Sequence, residues 1–94
     1  MIINRRTFVV KRGCFEQLAE MLKKEAKRIN LQNTYRIYEP DVAPFDILAF
    51  EMEFENWDQY HKHWEEWTPP EGFWEKWFSL TESGGTNEIW RLFE

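Results

Sequence analysis

The sequence of 94 residues predicts an α+β fold, in which strands and helices follow one another in the order β-α-β-β-α-β. Two patterns support this prediction. Within residues 46–54, every second side chain from Leu48 to Phe54 is large and apolar, as in a strand with one buried face. Residues 57–67 instead repeat large aromatic side chains three and four positions apart, which is the spacing of one helix face. Because a strand leads directly into a helix here, we expect helices to cover one face of a four-stranded antiparallel sheet.

The first half of the chain supplies a strand, a helix and a second strand. Residues 2–10 are rich in β-branched and aromatic side chains, which favour a strand. Residues 14–30 form the clearest helix, because apolar residues recur along one face of it. They are Phe15, Leu18, Leu22, Ala26 and Ile29. Residues 34–39 again have the pattern of a strand, and the two prolines that follow exclude the next segment from the middle of a sheet.

The third strand indicates which side chains face the helices. Its even-numbered residues from Leu48 to Phe54 are all apolar, whereas Glu51 and Glu53 lie among the odd-numbered ones. If the apolar residues pack under the helices, the two carboxylates face a second sheet or a cleft. An ionised carboxylate there needs partners. The candidates are Arg36 on the neighbouring strand and Arg5, Arg6 or Arg91.

The second helical element is predicted to be kinked. Asn56 is a suitable N-cap for its first part, with Gln59 three residues later as a capping-box partner. The segment Thr68-Pro69-Pro70-Glu71 interrupts this part and carries a helix-start signal of its own. A second part should therefore run over about residues 70–82 and end at two glycines, before a last strand at 87–93.

Composition narrows the class of protein. A chain of this length is expected to form one domain over residues 1–94. Its six Trp, eight Phe and three Tyr carry more apolar surface than a small domain readily buries, so we expect a subunit interface. The net charge of −5, with acidic and basic residues interleaved, argues against a nucleic-acid partner. No run approaches the ~20 apolar residues of a membrane span, and one cysteine with no signal-peptide pattern predicts a cytoplasmic protein.

The predicted order is that of the ferredoxin-like fold, and three stretches make the chain resemble the dimeric α/β-barrel superfamily, in particular NIPSNAP-like domains of the stress-responsive barrel type. They are residues 6–13 (RTFVVKRG), residues 54–60 (FENWDQY) and residues 84–90 (GGTNEIW). The resemblance implies a homodimer whose sheets pair face to face, with a cleft beside each sheet. It implies no particular reaction, because relatives include cofactor-free monooxygenases, haem-degrading enzymes, isomerases and cyclases.

Haem-degrading relatives use an Asn on strand one, a Trp in the second helical region and a His about ten residues beyond. Asn4 and Trp64 match the first two of these positions. Residues 73–75 are Phe, Trp and Glu, so the expected His is missing and the match to these relatives is incomplete.

No motif in the sequence specifies a reaction. The chain has no flavin, nicotinamide or phosphate-binding loop, so no cofactor is predicted. We expect a protein without an assigned reaction that binds a small aromatic or anionic molecule. The alternative is a cofactor-independent monooxygenase or isomerase that acts on an aromatic or polyketide-like substrate through acid–base residues alone.

The predicted site lies between the sheet and the kinked helical region, because a kinked helix cannot cover the sheet along its whole length. Its ligand-binding residues are expected from both walls: Arg36, Tyr38 and Glu51 from the sheet, and His61, Trp64 and Trp77 from the helices. Glu51, as a general base, and His61 are the candidate catalytic residues. A one-residue slip in strand parity would instead place Arg36 and Glu51 in an ion-pair network at the dimer interface. The tryptophans can equally be core residues.

Two other residue types have weaker claims to a site. His61 and His63 are two residues apart on a predicted helix, so they diverge by about 200° and cannot share a metal ion. No metal site is therefore predicted, although one of the two histidines could line the cleft beside Trp64. Cys14 opens the first helix, but no base is paired with it in the sequence, so a nucleophilic or redox role is not favoured.

Overall fold

The computed structural model describes residues 1–94 and contains four strands and three helices in the predicted order. The strands are β1 (Ile2–Val9), β2 (Tyr35–Tyr38), β3 (Ile47–Phe54) and β4 (Thr86–Arg91), and the helices are α1 (Phe15–Arg28), α2 (Trp57–Glu66) and α3 (Phe73–Leu80). The second helical element of the prediction is therefore two helices, which are separated by residues 67–72.

The strands form one antiparallel sheet in the order β2-β3-β1-β4. This is the arrangement of the ferredoxin-like fold, so the predicted α+β class is confirmed. β1 lies between β3 and β4, and its register pairs Arg5 with Glu51 on one side and with Glu88 on the other. On β2, Arg36 is also opposite Glu51. These four charged residues consequently meet on one face of the sheet.

The helices cover the other face, and the alternation of β3 predicts which residues they bury. Leu48, Phe50, Met52 and Phe54 are all buried in the core. On α1, Leu18 and Leu22 pack against the same cluster, as the helical stripe predicts. The opposite face of the sheet, which we call the open face, has no helix over it. It carries the odd-numbered residues of β1 and β3.

The break between α2 and α3 differs in detail from the prediction. Asn56 caps α2 as expected, since its Oδ1 accepts a hydrogen bond of 2.9 Å from the Gln59 backbone N–H. Thr68, however, does not cap α3. The helix begins at Phe73, because Gly72 adopts a left-handed φ of 78° that no residue with a Cβ adopts readily. It ends at Leu80, before the two glycines, where Thr81 forms a β-bridge with Val10.

None of the three helices is both long and apolar enough to cross a membrane.

Candidate functional site

A cavity of about 150 Å³ lies between the covered face of the sheet and the helices. We call it the aromatic cavity, because most of its 15 lining residues are apolar and seven of them are Phe or Trp. Phe8 and Phe50 come from the sheet, and the remaining aromatic side chains come from α2, α3 and the linker between them. They are Trp64, Trp67, Phe73, Trp74 and Trp77.

The aromatic side chains hold one another in place through a series of ring contacts. Phe8 meets Trp77 edge to face, with ring centres 4.8 Å apart, and Trp77 stacks on Phe73 at 5.8 Å. Trp67 contacts both Phe73 and Trp64 edge to face. Each such pair contributes about 0.5–1.5 kcal/mol beyond the burial of its surface. The walls of the cavity are therefore fixed by their own packing in the absence of a ligand.

Arg6 is the one cation on the sheet side of this cavity. Its guanidinium carbon lies 4.1 Å from the centre of the Trp64 ring, in a cation–π contact. Its Nε donates a hydrogen bond of 3.2 Å to Oδ1 of Asn4. No carboxylate oxygen lies within 4.0 Å of the guanidinium, so Arg6 has no ion pair in the chain.

Asn4 orients Arg6 from within the sheet. Its side chain is almost inaccessible, with 1% of the residue exposed. Its Nδ2 donates to Oδ1 of Asn87 over 2.7 Å and to the Glu88 carbonyl over 3.1 Å. Because both amide hydrogens are used in this way, the Asn4 oxygen is left to accept from Arg6.

Two further polar groups belong to α2. The indole Nε1 of Trp64 is buried and has no hydrogen-bond partner, which is rare for a buried donor in a folded chain. His63 packs its ring against Trp64, with centres 4.7 Å apart, and against Phe54. Burial, and secondarily the charge of Arg6, lowers the pKa of His63 below its ordinary value. At neutral pH the imidazole is therefore uncharged.

Glu25, on the α1 side of the cavity, has hydrogen bonds to both of its carboxylate oxygens. Glu25 accepts two hydrogen bonds of 2.7 Å from Arg28 and one of 2.6 Å from the Trp67 indole. Arg28 also donates to the Thr68 carbonyl over 2.8 Å. The bonds from Arg28, and then that from Trp67, lower the pKa of Glu25, so it stays ionised. We call Glu25, Arg28, Trp67 and Thr68 the latch, because they join α1 to the linker between α2 and α3.

A second polar cluster occupies the open face of the sheet. Glu51 accepts hydrogen bonds from Nε and Nη2 of Arg5, at 2.9 and 2.7 Å, and from the Tyr38 hydroxyl at 3.1 Å. Arg36 pairs with Glu53 at 2.9 Å. These partners cover Glu51, which is only 7% exposed although no helix lies over it. Partial burial, and then the bond to Glu51, raises the pKa of Tyr38.

The structure divides the predicted site residues between these two places. Trp64 and Trp77 line the aromatic cavity, whereas Arg36, Tyr38 and Glu51 lie on the other face of the sheet. The prediction that both groups border one pocket is wrong, because the even-numbered residues of β3 turn toward the helices and Glu51 must then point away. Arg36 and Glu51 instead lie in an ion-pair network on the open face of the sheet, and the alternative prediction assigned this network to a dimer interface.

His61 is also outside the cavity. It lies on the exposed side of α2 and stacks on Trp57, with ring centres 5.9 Å apart. The prediction named His61 for the site and expected one of the two histidines beside Trp64; it is His63 that contacts Trp64 and lines the cavity. The two imidazoles therefore diverge, as their spacing indicates.

Sequence reasoning missed Arg6 and Asn4 as a pair. The signal was present, since both share a face of strand one with Ile2, Phe8 and Val10, all of which are apolar. A polar residue among buried neighbours needs a partner or a function. The mixed character of both faces of this strand hid that signal.

Comparisons with known proteins establish the fold of the chain but not its function. No family model matches the chain, and no curated protein matches its sequence. Among solved structures, an uncharacterised NIPSNAP domain protein from Burkholderia xenovorans superposes with a TM-score of 0.80 at 12% identity, over 99% of this chain and 95% of that one. A NIPSNAP family protein from Agrobacterium tumefaciens has a TM-score of 0.80 at 16% identity, over 99% and 93%.

A third solved structure, described as an antibiotic biosynthesis monooxygenase, has a TM-score of 0.71 at 11% identity and covers all of both chains. At such identities the likeness shows a common fold. The chain thus has the ferredoxin-like fold of NIPSNAP proteins, and no reaction is assigned to it.

Proposed function

We propose that this protein binds a small, single-ring aromatic molecule in the aromatic cavity. The observation that carries the proposal is the cavity itself, which is lined by rings from the sheet, α2 and α3. An apolar cavity of about 150 Å³ is large enough for one benzene-sized ring. A porphyrin is several times larger, so the volume favours a single ring over haem.

The packing of the walls supports binding to a preformed site. Trp77 and Phe73 are held by mutual stacking and by Phe8, so they need no reordering when a ligand enters. Preformed, mostly apolar cavities with a few polar groups are typical of small-molecule sites. Arg6 and His63 supply polar groups of this kind.

The test uses a substitution that fills the cavity with a larger side chain and leaves the contacts of its walls in place. Ala26 is buried and lines the cavity, so Ala26→Leu should occupy part of its volume. Phenol, and less so cyclohexanol, should raise the melting temperature of the wild type, and Ala26→Leu should abolish that rise. Ala43→Leu, at an exposed position, is the control. If Ala26→Leu responds as the wild type does, the ligand does not bind in this cavity.

We further propose that the chain is a homodimer, as the family resemblance implies, with the open faces of two sheets packed together, and that it is cytoplasmic, as its single cysteine favours. Trp90 supports this assembly, because it lies on the open face and is 57% exposed. Charge supports it as well: Arg5 and Arg36 pair with Glu51 and Glu53, so the face holds few unpaired charges that would resist burial.

The second candidate is a cofactor-independent oxygenase or isomerase. His63 favours it, because a neutral imidazole beside the cavity can accept a proton from a bound substrate. Glu25 is a poorer base, since three hydrogen bonds occupy it. Oxygen consumption on adding a small quinol, and its loss in His63→Phe, would favour catalysis. Binding without turnover would favour the first candidate.

A further inference from the structure

We infer that the ligand of the aromatic cavity carries a carboxylate, which Arg6 binds through its guanidinium. This inference rests on the proposed binding function and names the chemical class of its ligand as an aromatic monocarboxylate. Arg6 carries a positive charge at the cavity wall, on the covered face of the sheet, and has no carboxylate partner there.

A cation among apolar side chains lowers stability unless something compensates it. The chain gives Arg6 only a neutral oxygen of Asn4 and the ring face of Trp64. Every other arginine on the sheet faces a carboxylate or the solvent; Arg5 and Arg36, for example, pair with Glu51 and Glu53 on the open face. Arg6 is therefore the arginine of the sheet whose charge a bound anion would compensate.

Asn4 prepares the guanidinium for this role. The bond to Asn4 uses Nε and leaves both Nη atoms without a hydrogen-bond partner in the chain. Two free Nη groups of one guanidinium form the planar fork that matches the two oxygens of a carboxylate. Asn4 is in turn fixed by Asn87 and Glu88, so it is a positioning residue for Arg6.

The other polar groups of the cavity favour an anion over a cation. The Trp64 indole N–H is an unpartnered donor next to Arg6. Glu25 is the only carboxylate in the cavity wall, and its oxygens already accept from Arg28 and Trp67. A ligand therefore meets the free Nη groups of Arg6 and no free carboxylate, and the only unoccupied side-chain acceptor in the wall is the neutral imidazole of His63, while the aromatic walls contact its ring.

The experiment compares benzoate with benzamide, which has nearly the same size and shape but no charge. Binding is measured by calorimetry on the intact chain. The wild type should bind benzoate about 10- to 100-fold more tightly than benzamide, which is the range for hydrogen bonds to a charged group. Arg6→Gln should remove this preference, so that benzoate and benzamide bind with similar affinity. Arg6→Lys, which keeps the charge and loses the fork, should retain part of it.

Arg12→Gln is the matched control, because Arg12 is exposed after the end of β1, does not line the cavity, and its loss removes the same charge. It should keep the full preference for benzoate. Equal binding of both compounds by the wild type, or an undiminished preference in Arg6→Gln, would overturn the inference while leaving a ring-binding cavity. If the wild type binds neither benzoate nor benzamide nor phenol, the proposed function fails as well. The wild-type comparison alone decides the matter if Arg6→Gln does not fold.

Discussion

The indole N–H of Trp67 donates a hydrogen bond of 2.6 Å to the carboxylate of Glu25, which joins the linker after α2 to helix α1. Glu25 also accepts hydrogen bonds from Nε and Nη2 of Arg28. The linker contains two consecutive prolines, which have no N–H groups to donate, so fewer of its backbone groups can form hydrogen bonds. The side chains of the latch therefore hold the linker against α1 at this edge of the aromatic cavity.

Removing only this hydrogen bond should weaken the fold. Trp67→Phe keeps an aromatic ring in the contact with Phe73 but lacks the donor. We expect the free energy of unfolding to fall by about 1–2 kcal/mol, at the lower end for a bond to a charged group because the site is partly exposed. Urea unfolding measures the change. Trp57→Phe is the control, since Trp57 is 46% exposed and its indole has no hydrogen bond, and a loss as large there would contradict the role given to the bond.

Stability should also depend on the protonation of His63. Burial lowers its pKa below the ordinary value of 6.5, so the unfolded chain binds more protons than the folded one between the two values. The folded state should therefore lose stability as pH falls from about 7 to 5. The charged residues that line the three cavities bordered by His63 are Arg6, Glu25, Arg28, Glu53, Glu55, Lys62 and Glu66.

Urea unfolding at several pH values checks this effect. His63→Phe keeps the ring contacts and cannot take up a proton, so it should show a flatter dependence on pH. His61→Phe, which changes the exposed histidine of the same helix, should retain the wild-type slope. Glu25 contributes with the same sign but at lower pH: its pKa is lowered from 4.5, so its share is present above that value and is lost on further acidification. Identical slopes in wild type and His63→Phe would contradict the prediction.

The sequence was sufficient for the fold because local patterns and tertiary burial agree. The apolar residues at alternate positions of β3 are those that the helices cover, and Asn56 caps α2 as its side chain predicts. The start of α3 could not be placed from the sequence. The capping box at Thr68 predicts a start directly after it, whereas Gly72, which readily adopts a left-handed conformation, favours a start at Phe73. The burial of Phe73 in the core selects the second start.

The site was harder to predict than the fold, because it depends on which strands are neighbours. Glu51 is neutralised by Arg5, a residue 46 positions earlier in the sequence, once β1 and β3 pair. Arg6, only one residue away, turns to the other face and remains without an anion. Nothing in the spacing of these residues distinguishes the two arginines until the register of β1 is known.

A glycine at the start of β4 should be far less replaceable than one in an exposed turn. A Cβ on Gly85, whose φ is 104°, would lie 2.2 Å from the Thr7 carbonyl oxygen, and a backbone atom of the central strand cannot move away cheaply. Gly13 has a positive φ of 81° but open space around it. Gly13→Ala should cost about 1–2 kcal/mol from the backbone conformation alone, and Gly85→Ala should cost more than about 3 kcal/mol or prevent folding. Thermal unfolding compares them, and equal losses would argue against the clash.

The proposed homodimer gives a prediction that separates the two faces of the molecule. Trp90 lies beside Ile3 on the open face, where a second sheet would bury it, whereas Phe78 is 64% exposed on α3 at the opposite surface. A buried, unpaired carboxylate strongly opposes association. Trp90→Asp should therefore dissociate the dimer, and Phe78→Asp, which introduces the same charge in place of an aromatic ring, should not.

Light scattering coupled to size-exclusion chromatography measures the outcome at micromolar concentration. Wild type and Phe78→Asp should each have twice the chain mass of 11.6 kDa, and Trp90→Asp should approach the mass of one chain. Circular dichroism of Trp90→Asp should show that the monomer is still folded, because Trp90 is not part of the core between sheet and helices. A monomeric wild type would refute the assembly, and a dimeric Trp90→Asp would place the interface on another surface. Since the aromatic cavity lies on the other side of the sheet, a folded monomer should still bind phenol.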